Sequence, residues 1–333
     1  MQGMTNQDLT KKVCALTVPY PGVRQWLEHG HRERLWDLRV IDTNQPLEVP
    51  DAELYLLGAW SNAYLGIIDR IRKQDPKKRF AVAWSSSPGE MGTTHIEIAY
   101  ALSISRNGKD APRIDAWACL HPDLVPHFPN AIHLPGPIHI ETDRSIPFTK
   151  RTGVFFFAPA TTKKNIFPQL LAVKRFQDQK PGDPDRRLYT NLADYAPIMK
   201  GYGIDYEIVP WLDRAEFMQR ISHARLAMIS SIYESHSYAA VDFMSQGVPV
   251  VGSPTIPWLP KAWMAEPNSP ESMVRVMTQL WDDPRPHPRL HLEAVASNKN
   301  REARLAVERL AAGDWDTGGE NKSPPLNQEQ PIA

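Results

Sequence analysis

Two carboxylates and two lysines carry the chemistry this sequence can be asked about. Glu234 and Asp242 stand with seven residues between them in the stretch Ser230-Ser231-Ile232-Tyr233-Glu234-Ser235-His236-Ser237-Tyr238-Ala239-Ala240-Val241-Asp242-Phe243-Met244-Ser245-Gln246-Gly247-Val248-Pro249-Val250-Val251. A helix N-terminus among small residues binds phosphate through its backbone N–H groups. A carboxylate beside it accepts two hydrogen bonds from a vicinal diol, such as that of a ribose or hexose. A phosphate site with two carboxylates describes a nucleotide-sugar pocket. Taken singly, each acid also fits an ordinary strand-helix-strand unit with a solvated side chain; the combination points to function. Lys163 and Lys164 lie in a second loop, 158–165, just before a helix. A lysine at a helix mouth neutralises a diphosphate leaving group as its charge develops. Two solvated surface lysines are the alternative.

The elements that must hold these groups follow from patterning. Residues 226–229 form a short apolar run, as a buried parallel strand does. Ser235 or Ser237 is available as the N-cap of the helix that follows. Ala239, Ala240, Phe243 and Met244 make one apolar helical face, with Asp242 off it. Gly247 stops the helix and 248–251 opens the next strand. Asp has poor helix propensity, so a mid-helix Asp242 needs a reason to be there.

The stretch resembles the donor-site signature of retaining glycosyltransferases of the two-Rossmann (GT-B) type, the group 1 glycosyl transferases. That signature is a Glu, seven residues, a second Glu, then a small residue, Gly, Val or Ile, Pro and Val. Asp242 replaces the second Glu here, and Ser235-His236-Ser237 replaces Gly-Phe-Gly or Ser-Phe-Gly. The resemblance covers about half the chain, from near Arg151 to Asp283. It implies two Rossmann-like α/β domains facing across a cleft. It also implies transfer of a sugar from a nucleotide-diphosphate donor, a UDP-sugar in the first instance, to an acceptor hydroxyl with retention and without a metal. It gives Glu234 the donor sugar's hydroxyls, Asp242 the ribose diol, and Lys163 or Lys164 the leaving diphosphate. The arginine that the family carries in this loop is missing, and Pro159 lies near its place. On the donor side the resemblance further points to Ser235, His236, Ser237, Gly22 after the first strand, Asn191 and Trp211. The loop of Trp211 passes near the base in the family; filling the core is the reading its residue type favours.

The rest of the chain alternates strands and helices, which indicates parallel sheets with helical crossovers. Expected strands in the first half are 13–18, 54–57, 80–83, 114–120 and 131–134, and in the second 154–157, 188–191 and 206–209. Residues 1–145 form an expected acceptor-side domain and 146–289 the donor domain. A helix at about 290–312 packs back on the first, and 318–333 is a disordered tail. The loop 84–97 sits at a strand's carboxyl end, where open α/β sheets bind ligands. Glu90, Thr94 and His95 in it, with Trp60 in the neighbouring loop, are the acceptor-side candidates. A capped helix start with a surface histidine explains the same residues.

Composition excludes some classes. Net charge is zero, so no global basic field points to nucleic acid. Trp60, Trp84, Arg72, Lys73, Lys77, Lys78 and Arg79 still offer an aromatic and basic edge. Modified DNA, a 5-hydroxymethyl-pyrimidine base flipped from its duplex, is therefore the second acceptor considered, beside a small molecule or glycan. Cys14 and Cys119 sit in apolar runs and read as buried free thiols of a reducing, cytoplasmic compartment. No signal-peptide core and no membrane span is expected. Asp183 and Asp185 form a D-x-D pair, but between prolines in a turn they read as solvent-facing. Two further readings stay open: a non-catalytic sugar-nucleotide-binding module, and a sugar-nucleotide epimerase.

Overall fold

The structure, a computed structural model, describes residues 8–18, 21–41, 48–58, 61, 63–86, 114–285 and 287–315, with only the backbone of 21–23. Trp60, Glu90, Thr94 and His95, the expected acceptor-side residues, lie outside this set.

Two parallel sheets organise the chain. The first has the order β2-β1-β3-β4-β5-β6. Its strands are β1 Val13–Thr17, β2 Asp37–Val40, β3 Leu54–Gly58, β4 Arg79–Trp84, β5 Ala116–Cys119 and β6 Ala131–His133. The second has the order β11-β10-β7-β8-β9. It is built from β7 Thr152–Phe156, β8 Leu188–Thr190, β9 Tyr206–Ile208, β10 Ala224–Ile229 and β11 Val250–Gly252. The central strands are buried along their whole length, because helices cover both faces of such a sheet. The sequence missed β2. Asp37-Leu38-Arg39-Val40 is an edge strand whose last two residues are exposed, so it has no continuous apolar run.

The helices are α1 Pro21–Arg32, α2 Ala63–Gln74, α3 Ile166–Asp178, α4 Ala196–Gly201, α5 Arg214–Ile221, α6 Tyr238–Ser245, α7 Pro270–Asp282 and α8 Pro288–Ala312. The second sheet runs outward from β7 to β9, then returns to place β10 and β11 on the other side of β7. The strand order therefore reverses between β7 and β10, which run parallel. Crevices of open α/β sheets form at the carboxyl ends of such strands.

Helix α8 has 25 residues and spans roughly 37 Å. Near its start Arg289 donates to the backbone oxygens of Glu141 and Ser245. In its middle Asn300 exchanges two hydrogen bonds with the Ile138 backbone and donates to Glu33, just after α1. At its end the Ala311 oxygen accepts from Arg79 of β4 at 2.5 Å. One helix thus touches both sheets' surroundings.

The basic edge expected for DNA sits at the amino end of β4. Arg72 pairs with Asp115 at 2.8 Å, Lys78 with Asp51 at 2.6 Å, and Arg79 with α8. That end is opposite the carboxyl edge where a cleft ligand binds. Cys14 and Cys119 are free and buried, and burial pushes both thiols up to about 12.

His29 of α1 joins the two halves. Its ring stacks on Tyr238 of α6 at 4.4 Å, and its Nδ1 accepts from the His139 amide at 2.8 Å. Burial, then the charges of Arg214, His139 and Arg32, pull its pKa down to about 3. Below the ordinary histidine value of 6.5 the unfolded chain therefore takes a proton that the folded chain refuses. Stability falls as pH drops from 6.5 towards 3, by about 1.4 kcal/mol between pH 7.5 and 5.5 for this group. Urea unfolding at the two pH values measures it, and His29→Gln should reduce the difference by about that amount, the buried His236 retaining its own share. Equal slopes in wild type and variant would remove His29 as the cause.

Candidate active site

The crevice between β7 and β10 is built by two loops tied into one unit. After β7 the chain makes a short 3-10 turn over Thr162–Lys164 and reverses at Asn165, a non-glycine residue held left-handed at φ 51°. The Asn165 side chain fixes that turn by donating to the Pro267 oxygen. Gln169, buried on α3, donates to the Lys164 oxygen at 2.6 Å and accepts from the Ser230 amide at 2.9 Å. The Ile232 amide donates to the Lys163 oxygen at 2.9 Å. Loop and strand end are thereby held at one height.

This places the Lys164 ammonium on the Glu234 carboxylate. Glu234 is only 8% exposed at its side chain, and the Ser231 hydroxyl donates to it at 2.8 Å. Seventy residues apart in sequence, Lys164 and Glu234 meet where the strand order reverses. Lys163 is half-buried, and its backbone oxygen ties the two loops by accepting from Ile232.

Helix α6 opens beside Glu234. Ser237 occupies the N-cap position but is left-handed, at φ 64°, and its hydroxyl caps nothing. The expected serine cap is therefore not made. The amides of Ala240 and Val241 turn back to the Ser237 oxygen, whereas those of Tyr238 and Ala239 precede any intrahelical acceptor. The loop's side chains turn inward. His236 and Ser237 are buried, and among the described residues His236 Nε2 and Ser237 Oγ have no hydrogen-bond partner. The His236 ring packs on Tyr238 and Trp258 and against Gly136, where a Cβ would lie 2.9 Å from it. Burial holds His236 well below the ordinary histidine value, so it is neutral. Ser235 is half-buried. What this loop offers a ligand is backbone N–H at the positive end of a helix.

Asp242 lies inside, not off the buried face. It is 3% exposed, and both oxygens accept from Arg214 at 2.5 and 2.6 Å. Burial raises its pKa while the two arginine bonds oppose the rise. Burial works against Arg214's charge too, yet its bonds to Asp242 and Glu141 hold the proton more tightly than usual. The bidentate geometry marks a true ion pair. Arg214 also reaches Glu141 of the connecting segment at 3.2 Å, and Glu141 pairs with Arg32 of α1. The sequence pointed to neither Arg214 nor Glu141. Arg214 is the first residue after the Asp213 cap of α5, and nothing local links it to Asp242, 28 positions on.

Three other expected residues sit differently. Asn191 has its amide engaged on both sides by the Ala158 backbone, at 3.0 and 3.1 Å, which pins the ends of β7 and β8 together. Trp211 is 75% exposed, not in the core. Val209 takes the buried position instead, and the capping box of Asp213 and Glu216 fixes the loop that carries Trp211 outward. Gly22 lies in the first turn of α1. A recess of about 130 Å³ opens beside the lysine loop, lined by Ala158, Pro159, Ala160, Asn191 and, across it, 192–195. Asp183 caps a short turn by accepting from the Asp185 amide, so the D-x-D pair is a turn device.

The fold is that of GT-B glycosyltransferases. A UDP-forming α,α-trehalose-phosphate synthase from Burkholderia xenovorans superposes with a TM-score of 0.60 at 9% identity, covering 92% of this chain and 99% of that one. A sucrose-phosphate synthase from Thermosynechococcus elongatus gives 0.57 at 13% identity, covering 90% and 96%. An S. aureus TarM variant in complex with UDP gives 0.55 at 10% identity, over 79% of this chain and 55% of that one. No protein-family model matches the sequence, and no curated protein does. Among the described residues no helix is long and apolar enough to cross a membrane.

Proposed function

We propose that this protein is a glycosyltransferase that moves a sugar from a nucleoside-diphosphate sugar to an acceptor hydroxyl, with retention of configuration. The observation that carries the reading is the Lys164–Glu234 pair beside the open N-terminus of α6, in the crevice between β7 and β10. The diphosphate sits on the Tyr238 and Ala239 amides and draws Lys164 to itself. Lys164 then stabilises the charge that develops as the bond from sugar to diphosphate breaks. Glu234, released from Lys164, accepts from the sugar's hydroxyls. Front-side transfer needs no protein base on the far face of the sugar, and the chemistry assigned here uses no metal.

UDP is the first donor nucleotide to test, since the trehalose-phosphate synthase is UDP-forming and the TarM structure is a complex with UDP. The same neighbours favour a sugar or sugar-phosphate acceptor. Hydroxymethylated DNA is the weaker choice, because Arg72, Lys78 and Arg79 are engaged at the wrong edge of the sheet.

A second reading, a non-catalytic sugar-nucleotide-binding module, is favoured by one observation. Asp242, where the resemblance seats the ribose, already has both oxygens on Arg214. Thermal unfolding with UDP, GDP and ADP tests what both readings share. Ligand at a hundredfold excess over Kd is expected to add about 2.7 kcal/mol. An unchanged Tm with all three at millimolar levels would contradict both.

A further inference from the structure

Glu141 belongs to no motif, yet it stands at the centre of the charge network between the two halves. Its Oε1 accepts from Arg32 of α1 and, at 3.2 Å, from Arg214 of α5. Arg214 gives its two terminal nitrogens to Asp242 at the shorter distances of 2.5 and 2.6 Å. The Glu141 backbone is pinned by Arg289 of α8, so its carboxylate moves by its own rotamers and not with the segment. Burial raises its pKa, but the charges and hydrogen bonds of Arg32 and Arg214 outweigh that and keep the carboxyl ionised.

A ribose cannot reach Asp242 while Arg214 holds both oxygens. Arg214 in turn cannot simply leave, because removing one partner of a buried pair uncovers an unpaired charge. It needs another anion to receive it. Glu141 is already in contact, and its other partner, Arg32, is 42% exposed at its side chain and can turn into water at little loss. The network therefore has two arrangements. In one, Arg32 holds Glu141 and Arg214 holds Asp242. In the other, Arg214 moves onto Glu141 and the ribose hydroxyls donate to Asp242.

We propose that Glu141 is a positioning residue of the donor seat, which receives Arg214 when the ribose of a nucleoside diphosphate takes Asp242. The inference rests on the donor reading given above. It predicts opposite signs for two substitutions of one chain of charges. Glu141→Gln removes the receiver, so nucleotide affinity falls. Arg32→Gln removes the competitor for that receiver, so affinity rises. A purely structural network would weaken binding in both.

The experiment is calorimetric titration of wild type, Glu141→Gln and Arg32→Gln with the nucleoside diphosphate that wild type binds, and with inorganic pyrophosphate, which has no ribose. Both side chains are partly exposed, and a melting curve of each variant verifies folding. The expected result is about 5- to 10-fold weaker nucleotide binding for Glu141→Gln and a similar gain for Arg32→Gln, at the lower end of coupling between sites. Pyrophosphate is expected to bind all three alike. Shifts of the same sign, no shift in either variant, or a parallel shift with pyrophosphate would overturn the role of Glu141 and leave the donor reading standing. Failure of wild type to bind any nucleoside diphosphate would overturn the donor reading and this inference together.

Discussion

Lys164→Ala is expected to lower turnover by roughly 100-fold or more, as loss of a transition-state charge contact does, while Lys163→Ala stays close to wild type. The two lysines are neighbours of equal type, so sequence alone cannot separate them. Lys164 sits on Glu234, and Gln169 holds the backbone that aims it. Lys164→Ala also leaves Glu234 buried with Ser231 as its remaining side-chain partner, so some stability is lost with the activity. Glu234→Gln separates the two effects. It keeps the shape and removes the charge, and free nucleoside diphosphate is expected to bind it nearly as well as wild type. Steady-state rates and calorimetry on the three variants make the comparison. Full activity in a Lys163→Ala/Lys164→Ala double variant would remove both lysines from the chemistry.

The largest stability effect is expected at Arg214. Arg214→Ala uncovers a carboxylate that is 3% exposed, and breaking a buried pair from that side costs about 3–5 kcal/mol. Asp242→Asn is expected to cost less, because Arg214 is partly exposed and keeps Glu141 as an anionic partner. The double variant Arg214→Ala/Asp242→Asn should recover part of the loss, since no buried charge then remains unpaired. Urea denaturation of the four proteins measures the cycle. Additive losses would mean that the pair, despite its geometry, contributes nothing as a pair.

Much of the fold was legible because parallel strands buried on both faces read as unbroken apolar runs. Residues 13–16 and 226–229 are of that kind. Asp37–Val40 was not, since an edge strand alternates and carries charge. The helix cap read at Ser237 was misleading, because that residue sits at the N-cap in a left-handed conformation and its side chain caps nothing. Glu234 and Lys164 were visible as residue types in loops after strands, and the parallel topology brings those loops together. The partner of Asp242 was not visible. A contact between the first turn of one helix and the interior of the next has no local period or spacing to announce it. The exposure of Trp211 was hidden for a related reason: residue type suggests burial, but Val209 takes the buried position, and the Asn191 amide meets backbone needs of Ala158 that no local pattern announces.

Lys164, Glu234 and the mouth of α6 are proposed to form the donor site of a sugar transferase. Release of nucleoside diphosphate from UDP-, GDP- and ADP-sugars, followed with and without sugar and sugar-phosphate acceptors, tests it most directly. The predicted result is release from one of these donors that an acceptor accelerates and that Lys164→Ala abolishes. A folded wild-type protein that binds a sugar nucleotide yet releases nothing with any acceptor would contradict catalysis and leave the binding-module reading in its place.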